Sequence, residues 1–188
     1  MKVPSLCAIA VISTFAVGAA QERVPQPQPQ PQPRATQATA GMPEGSGAFV
    51  AKATEAGAVE VAVGQLAVTK ATSPAVKAFA TRMVADHGKA NSELARLAAD
   101  QSINVSDPSG AVTKATAKLS SLTGAEFDRG YMEMMVMAHQ NAVTLFEHES
   151  TRGSDATIKA FATKTLPTVR EHQKMAHETA EAVGVKGH

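Results

Sequence analysis

A seven-residue pattern occurs twice in the chain and indicates that two parts of it fold in the same way. Val76–Arg82 reads VKAFATR, and Ile158–Lys164 reads IKAFATK. Each copy lies in a stretch whose apolar residues recur every three or four positions, which is the period of an α-helix with one buried face. Another stretch of the same period precedes each copy. The repeat therefore predicts two related helical hairpins joined by a long crossover, which is the ferritin-like form of a four-helix bundle.

Composition agrees with an all-α fold. The chain has 36 alanines but only six phenylalanines, one tyrosine and no tryptophan. Alanine is the strongest helix former, whereas strands favour aromatic and β-branched residues. The formal net charge of +1 lacks the basic excess that is typical of nucleic-acid binders. No nucleic-acid partner is therefore expected.

Turn and capping signals divide the predicted domain, residues 47–185, into four long helices. Their approximate bounds are 47–72, 74–101, 124–152 and 154–183. N-caps are predicted at Ser73, Thr123 and Ser154, because serine and threonine accept hydrogen bonds from the free N–H groups of a first helical turn. The long crossover between the second and third helices is expected to contain a short helical piece.

Two segments that precede the domain have compositions of their own. Residues 1–20 combine a positive start at Lys2 with a short apolar run and small residues, which predicts a cleaved secretory signal peptide. Residues 21–46 are predicted to form a Pro/Gln-rich flexible linker. The apolar run is shorter than the ~20 residues of a membrane-spanning helix, so no transmembrane segment is expected in the mature protein. The single cysteine, Cys7, belongs to the predicted signal.

Each predicted long helix carries one potential metal ligand on its apolar face. These residues are Glu60, His87, His139 and His172. At a rise of ~1.5 Å per residue, all four lie roughly 18–25 Å from the turn of their own hairpin. They are therefore expected to converge at one level of the bundle. One carboxylate and three imidazoles suit one divalent metal ion such as zinc, copper or iron, and the affinity should fall below pH ~6.5, where histidine becomes protonated.

Metal binding or sensing is the leading functional hypothesis, and two alternatives stand beside it. The first is a metal-free structural or stress-related protein, in which Glu60 bonds to a protonated histidine, because a buried glutamate needs a partner. The second is a metal-dependent oxidoreductase. The chain contains no Glu-x-x-His motif, which ferritin-like two-metal sites use, so at most one ion is expected. Asp86 and Glu171 each precede one of the histidines and are expected to be mostly solvated, and the less favoured alternative is that they support a neighbouring histidine through a hydrogen bond.

Further motifs are spread over all four predicted helices. They are Phe49 with Glu60, Val76-Lys77-x-Phe79-Ala80, Met83-Val84-x-Asp86-His87, Gly124-x-x-Phe127-Asp128-x-x-Tyr131, His139 with Leu145-Phe146, and Leu166-Pro167-x-x-x-Glu171-His172. Together they resemble the domain-of-unknown-function 4142 family over about residues 47–183. The resemblance implies an exported bacterial protein of ferritin-like fold, located in the periplasm or envelope. It implies no particular activity.

Overall fold

The computed structural model describes residues 45–186, which form five α-helices and contain no strand. The helices are α1 (Ser46–Lys70), α2 (Pro74–Asp100), α3 (Ser109–Ser120), α4 (Gly124–Arg152) and α5 (Ala156–Ala182). The prediction of an all-helical domain is confirmed, and α3 is the short helix expected in the crossover. The predicted signal peptide and almost all of the predicted linker lie outside the described residues. Within residues 45–186, no helix combines the length and apolarity that a membrane crossing requires.

The long helices pack most extensively in sequential pairs. Helix α1 packs mainly against α2, and α4 packs mainly against α5. Further contacts join α1 to α4 and α2 to α5, while α3 lies mainly against α1. Each long helix therefore has two major long neighbours, and its buried stripe faces both of them.

The buried apolar side chains form two clusters that occupy different stretches of each long helix. One cluster includes Val63, Met83, Val136 and Ala176. The other includes Ala53, Leu94, Ala142 and Val169. On every long helix the predicted metal-ligand residue falls in the interval between the two clusters. The apolar stripes thus place four polar side chains at the boundary between the two parts of the core.

The hydrogen bonds at the helix ends differ in part from the capping predictions. The prediction of Ser154 as an N-cap is wrong, because Asp155 caps α5 and its side chain accepts hydrogen bonds from the N–H groups of Thr157 and Ile158. Thr123 occupies the N-cap position of α4, but its side chain makes no capping hydrogen bond. The N–H of Glu126 bonds to the Thr123 carbonyl oxygen at 3.2 Å, so the predicted capping interaction is replaced by a backbone one.

The start of α2 is held by a residue from another helix. Ser73 is the N-cap residue, yet its side chain makes no capping hydrogen bond. Instead, the buried Asp128 carboxylate of α4 accepts hydrogen bonds from the N–H groups of Thr72 and Ser73, at 3.0 and 2.8 Å, and from the Thr72 hydroxyl. This contact fixes the turn between α1 and α2 to the first turns of α4.

Candidate metal centre

Three histidines from α2, α4 and α5 meet at the boundary between the two apolar clusters. His87, His139 and His172 each offer a ring nitrogen that lies within 4.8 Å of the other two. Their exposed fractions are 9%, 0% and 1%. The structure thus brings together the histidines that the helical spacing predicted to share one level.

The spacing of two ring nitrogens matches that of metal ligands. Nε2 of His87 lies 3.3 Å from Nε2 of His139. Around a tetrahedral ion with metal–nitrogen bonds of about 2.0–2.1 Å, two ligand nitrogens are about 3.3 Å apart. The third nitrogen lies farther away, within the 4.8 Å limit of the group, so a modest movement of one side chain completes a three-nitrogen donor set.

Each of the three rings is also hydrogen-bonded to the protein through one of its nitrogens. His87 Nδ1 donates to Glu60 Oε2 at 3.0 Å, and His172 Nε2 donates to Asp86 Oδ2 at 3.0 Å. His139 Nδ1 donates to the Met135 carbonyl oxygen at 2.9 Å. Metal-binding histidines usually donate their second N–H to a carboxylate or carbonyl oxygen, which fixes the orientation of the ring. All three rings of the cluster are oriented in this way.

Glu60 lies against two of the histidines but outside the group of three. Its carboxylate contacts the Nδ1 edges of the rings, with Oε2 at His87 and Oε1 3.9 Å from Nδ1 of His139. The close contact between His87 and His139 is made by the opposite, Nε2 edges. The structure therefore places Glu60 at the site, as predicted, in a position to orient His87. The role of Glu60 as a fourth ligand stays a prediction.

Asp86 is less solvated than the sequence predicted. Its side chain is 21% exposed and bridges two neighbours, because it accepts hydrogen bonds from Arg82 on its own helix and from His172 on α5. The Arg82 contact follows the i,i+4 pattern and is visible in the sequence. The His172 contact depends on which helices are neighbours, and that information is not local. Glu171, by contrast, is 56% exposed, as expected.

The charges within the cluster are unequal. Burial raises the pKa of a carboxyl group and lowers that of an imidazole. For Glu60 and His87 burial is the largest single effect, but their mutual attraction, their hydrogen bond and neighbouring charges together outweigh it, so the pKa of Glu60 lies below its ordinary value and the pKa of His87 lies above it. Burial prevails for the other two histidines: it lowers the pKa of His139, and that of His172 to about 4. At neutral pH Glu60 is thus ionised, His139 and His172 are neutral, and Glu60 favours the protonated form of His87.

Buried polar atoms without hydrogen-bond partners occur in the same region. Among the described residues they are Glu60 Oε1, His172 Nδ1 and the Tyr131 hydroxyl. Tyr131 packs against Phe79, which also packs edge-on against His139. Burial, followed by the charge of Glu60, raises the pKa of Tyr131. An unsatisfied buried polar group costs roughly 1–3 kcal/mol, so their concentration here indicates a place where a ligand is expected to interact.

Fold and site together define an all-α protein with a buried three-histidine donor set. A family model, the domain of unknown function (DUF4142), matches residues 31–179. The chain belongs to this family, and the resemblance seen in its motifs is confirmed. The matched range contains all four predicted ligand residues. No curated protein and no solved structure matches the chain.

Proposed function

We propose that the protein binds one divalent first-row transition-metal ion, zinc, copper or iron, through His87, His139 and His172. The observation that carries this proposal is that each of the three histidines brings a ring nitrogen within 4.8 Å of the other two, while the protein also fixes each ring through a hydrogen bond to one of its nitrogens. Imidazole nitrogens suit these three metals. A bound ion would also offer an interaction to buried atoms of the cluster that lack a hydrogen-bond partner, namely Glu60 Oε1 and His172 Nδ1.

The roles of the surrounding residues follow from the hydrogen bonds. Glu60, Asp86 and the Met135 carbonyl oxygen hold the three rings, and the negative charge of Glu60 compensates part of the charge of a divalent ion. His139 Nδ1 donates to the Met135 carbonyl oxygen, so His139 Nε2 is the acceptor in its contact with His87 Nε2. Because His87 Nδ1 also donates to Glu60, His87 carries a proton on both ring nitrogens in this arrangement, and an ion takes the place of the Nε2 proton. Metal binding therefore releases protons, as is usual for histidine ligands.

We also propose a ferritin-like arrangement of the helices and a periplasmic location for the protein. The pairing of α1 with α2 and of α4 with α5, with α3 in the crossover, supports a ferritin-like four-helix arrangement. The sequence of residues 1–20 supports export to the periplasm. Fractionation of cells that produce the full chain tests this location, with the N-terminus of the mature protein determined by mass spectrometry. Recovery of the uncleaved chain in the cytoplasmic fraction would contradict export.

Metal analysis of the purified protein tests the binding site. The wild type is expected to retain one equivalent of zinc or copper after dialysis, and a His87→Ala/His172→Ala variant is expected to retain none. A His148→Ala/His177→Ala variant is the matched control, because it removes two histidines that lie outside the group of three. Equal retention by all three proteins would show that the cluster is not the binding site.

A metal-free structural network is the second candidate function. The observation that favours it is the 3.0 Å contact between Glu60 Oε2 and His87 Nδ1, which joins the two buried groups without a metal ion. Thermal unfolding separates the two candidates. A ligand present at ~100 times its dissociation constant adds about 2.7 kcal/mol to the free energy of unfolding. No rise in melting temperature with zinc, copper(II) or iron(II) would favour the metal-free network.

A further inference from the structure

A small cavity lies directly beside the histidine cluster. Its volume is about 50 Å³, which is enough for more than one water-sized molecule. Glu60, Asp86, His87 and His172 form part of its wall. His172 is 1% exposed, and its Nδ1 is one of the buried atoms without a partner among the described residues. Because Nε2 of His172 donates to Asp86, Nδ1 is the nitrogen that the proposed function assigns to the metal ion, so the cavity adjoins the proposed metal site.

The cavity exists because small residues from three helices surround it. They are Ala53, Ala56 and Gly57 of α1, Ala90 of α2 and Ala142 of α4. The larger apolar side chains in the wall are Leu94, Leu145, Phe146, Phe161 and Val169, and the polar side chains of Asn91, Thr165 and Thr168 also line it. Leu94 lies about 10 Å beyond His87 along α2, at ~1.5 Å per residue. The cavity therefore extends from the histidines into the second apolar cluster.

The wall chemistry selects against anions, and a cation that enters is drawn to the adjoining histidine cluster rather than to the apolar part of the wall. Glu60 is only 2% exposed, and its carboxylate and that of Asp86 both line the cavity. An anion would be repelled by these groups and would lose its hydration against mostly apolar walls. The volume excludes large molecules. A small neutral molecule of low polarity meets neither penalty.

A surface groove between α2 and α5 leads to the same place. Asp86, Ala90, Thr165 and Thr168 line both the groove and the cavity. These four shared residues, two of which are threonines, therefore form the boundary between the cavity and the groove.

We propose that this cavity is a binding site for small neutral molecules of the size and polarity of dioxygen, and that it brings them to the face of the cluster formed by His87 and His172. Its small residues supply the space, and its apolar wall supplies the favourable transfer from water. If the cluster binds a metal ion, the cavity delivers a neutral molecule beside that ion, and this part of the inference rests on the proposed function.

Xenon is the probe that tests this site, because it is neutral and enters apolar cavities that water leaves empty. Methyl NMR spectra of the metal-free full-length protein are recorded under increasing xenon pressure. Saturable shifts are expected for the methyl groups of Leu94, Ala142 and Val169. The methyl groups of Val63 and Val76, in the first apolar cluster, are expected to change little. Equal responses in both clusters, or none in the cavity, would overturn the proposal.

An Ala142→Val variant is expected to reduce the xenon response, because its added methyl groups occupy part of the cavity. Ala138→Val is the matched control, one turn away on α4 and outside the cavity wall. The NMR spectra also report whether each variant is folded. If Ala142→Val does not fold, the pattern of xenon-induced shifts in the wild-type protein tests the proposal alone. Zinc titration is run in parallel. Xenon binding without zinc binding contradicts only the proposed function, and zinc binding without xenon binding contradicts only this inference.

Discussion

At the scale of single residues, the two carboxylates of the site differ in their support. Glu60 is almost fully buried and faces two histidines, whereas Asp86 is partly exposed and shared between Arg82 and His172. Each holds one ring through a 3.0 Å hydrogen bond. Loss of such a supporting group typically lowers metal affinity by ~10–100-fold, while loss of a ligand removes binding more completely. This difference makes the two kinds of role measurable.

Glu60→Gln is expected to weaken zinc binding by ~10–100-fold. Glutamine keeps an oxygen that can accept the hydrogen bond of His87, but it removes the charge that compensates the ion. Isothermal titration at pH 7.5 measures the change, with His87→Ala as the reference for loss of a ligand. A loss for Glu60→Gln as large as that for His87→Ala would instead identify Glu60 as a ligand, as the sequence predicted.

Asp86→Asn is expected to lower the zinc affinity by a similar ~10–100-fold, because asparagine is a weaker acceptor for the His172 N–H. Glu171→Gln is the matched control. Glu171 directly precedes His172 just as Asp86 directly precedes His87, but its side chain is 56% exposed. The same titration is expected to give the wild-type affinity for the control. Equal effects of the two substitutions would mean that general charge, rather than the His172 contact, is responsible.

At the scale of helices, local signals predicted which segments are helical better than how their ends are held. Ser73-Pro74 and Arg152-Gly153 mark real boundaries, because proline starts a helix well and the apolar period stops there. The hydrogen bonds at those ends involve residues far away in the chain. Asp128 of α4 binds the N–H of Ser73, and no local pattern near Ser73 contains that information.

Asp128→Asn is expected to lower the free energy of unfolding by ~1–3 kcal/mol. Asparagine replaces one carboxylate oxygen with an amide NH₂ group, so at least one buried donor loses its acceptor. The contacts involved are those with the N–H groups of Thr72 and Ser73 and with the Thr72 hydroxyl. Urea unfolding measures the change. Zinc affinity is expected to be unchanged, since Asp128 lies roughly 16 Å along α4 from His139. A stable variant with weakened zinc binding would contradict this division between fold and site.

The whole molecule explains why the site itself was largely predictable. An inward polar residue interrupts the apolar stripe of each long helix, and the interruptions fall at matching distances from the turns. That regularity locates Glu60, His87, His139 and His172 from spacing alone. The ring edge that each histidine presents to the cluster depends on side-chain rotation. The hydrogen bond between Asp86 and His172 depends on the packing of α2 against α5. Helical periodicity does not contain either of these.

At the same scale, acid should destabilise the metal-free protein through its buried neutral histidines. The folded pKa of His172 is about 4, below the ordinary value of ~6.5, and that of His139 is also lowered. Such groups stabilise the fold above their unfolded pKa, and the stabilisation is lost as the pH falls from ~6.5 to the folded value. Glu60, whose pKa is lowered, adds a loss at still lower pH. His87, whose pKa is raised, has the opposite sign, because its contribution is lost as the pH rises through its folded pKa.

His172 should therefore account for on the order of 2–3 kcal/mol of the free energy of unfolding that is lost between pH 7 and pH 4, at about 1.4 kcal/mol per pKa unit. Urea unfolding of the metal-free protein at several pH values measures the slope. His172→Gln is expected to be less stable at pH 7 and to show a shallower decline toward acid, since glutamine has no proton to gain. His148→Gln, which lies outside the cluster, should keep the wild-type slope. Parallel curves for wild type and His172→Gln would show that His172 is not held neutral in the fold, and the proposed donor set would lose one of the two imidazoles that are neutral in the metal-free protein.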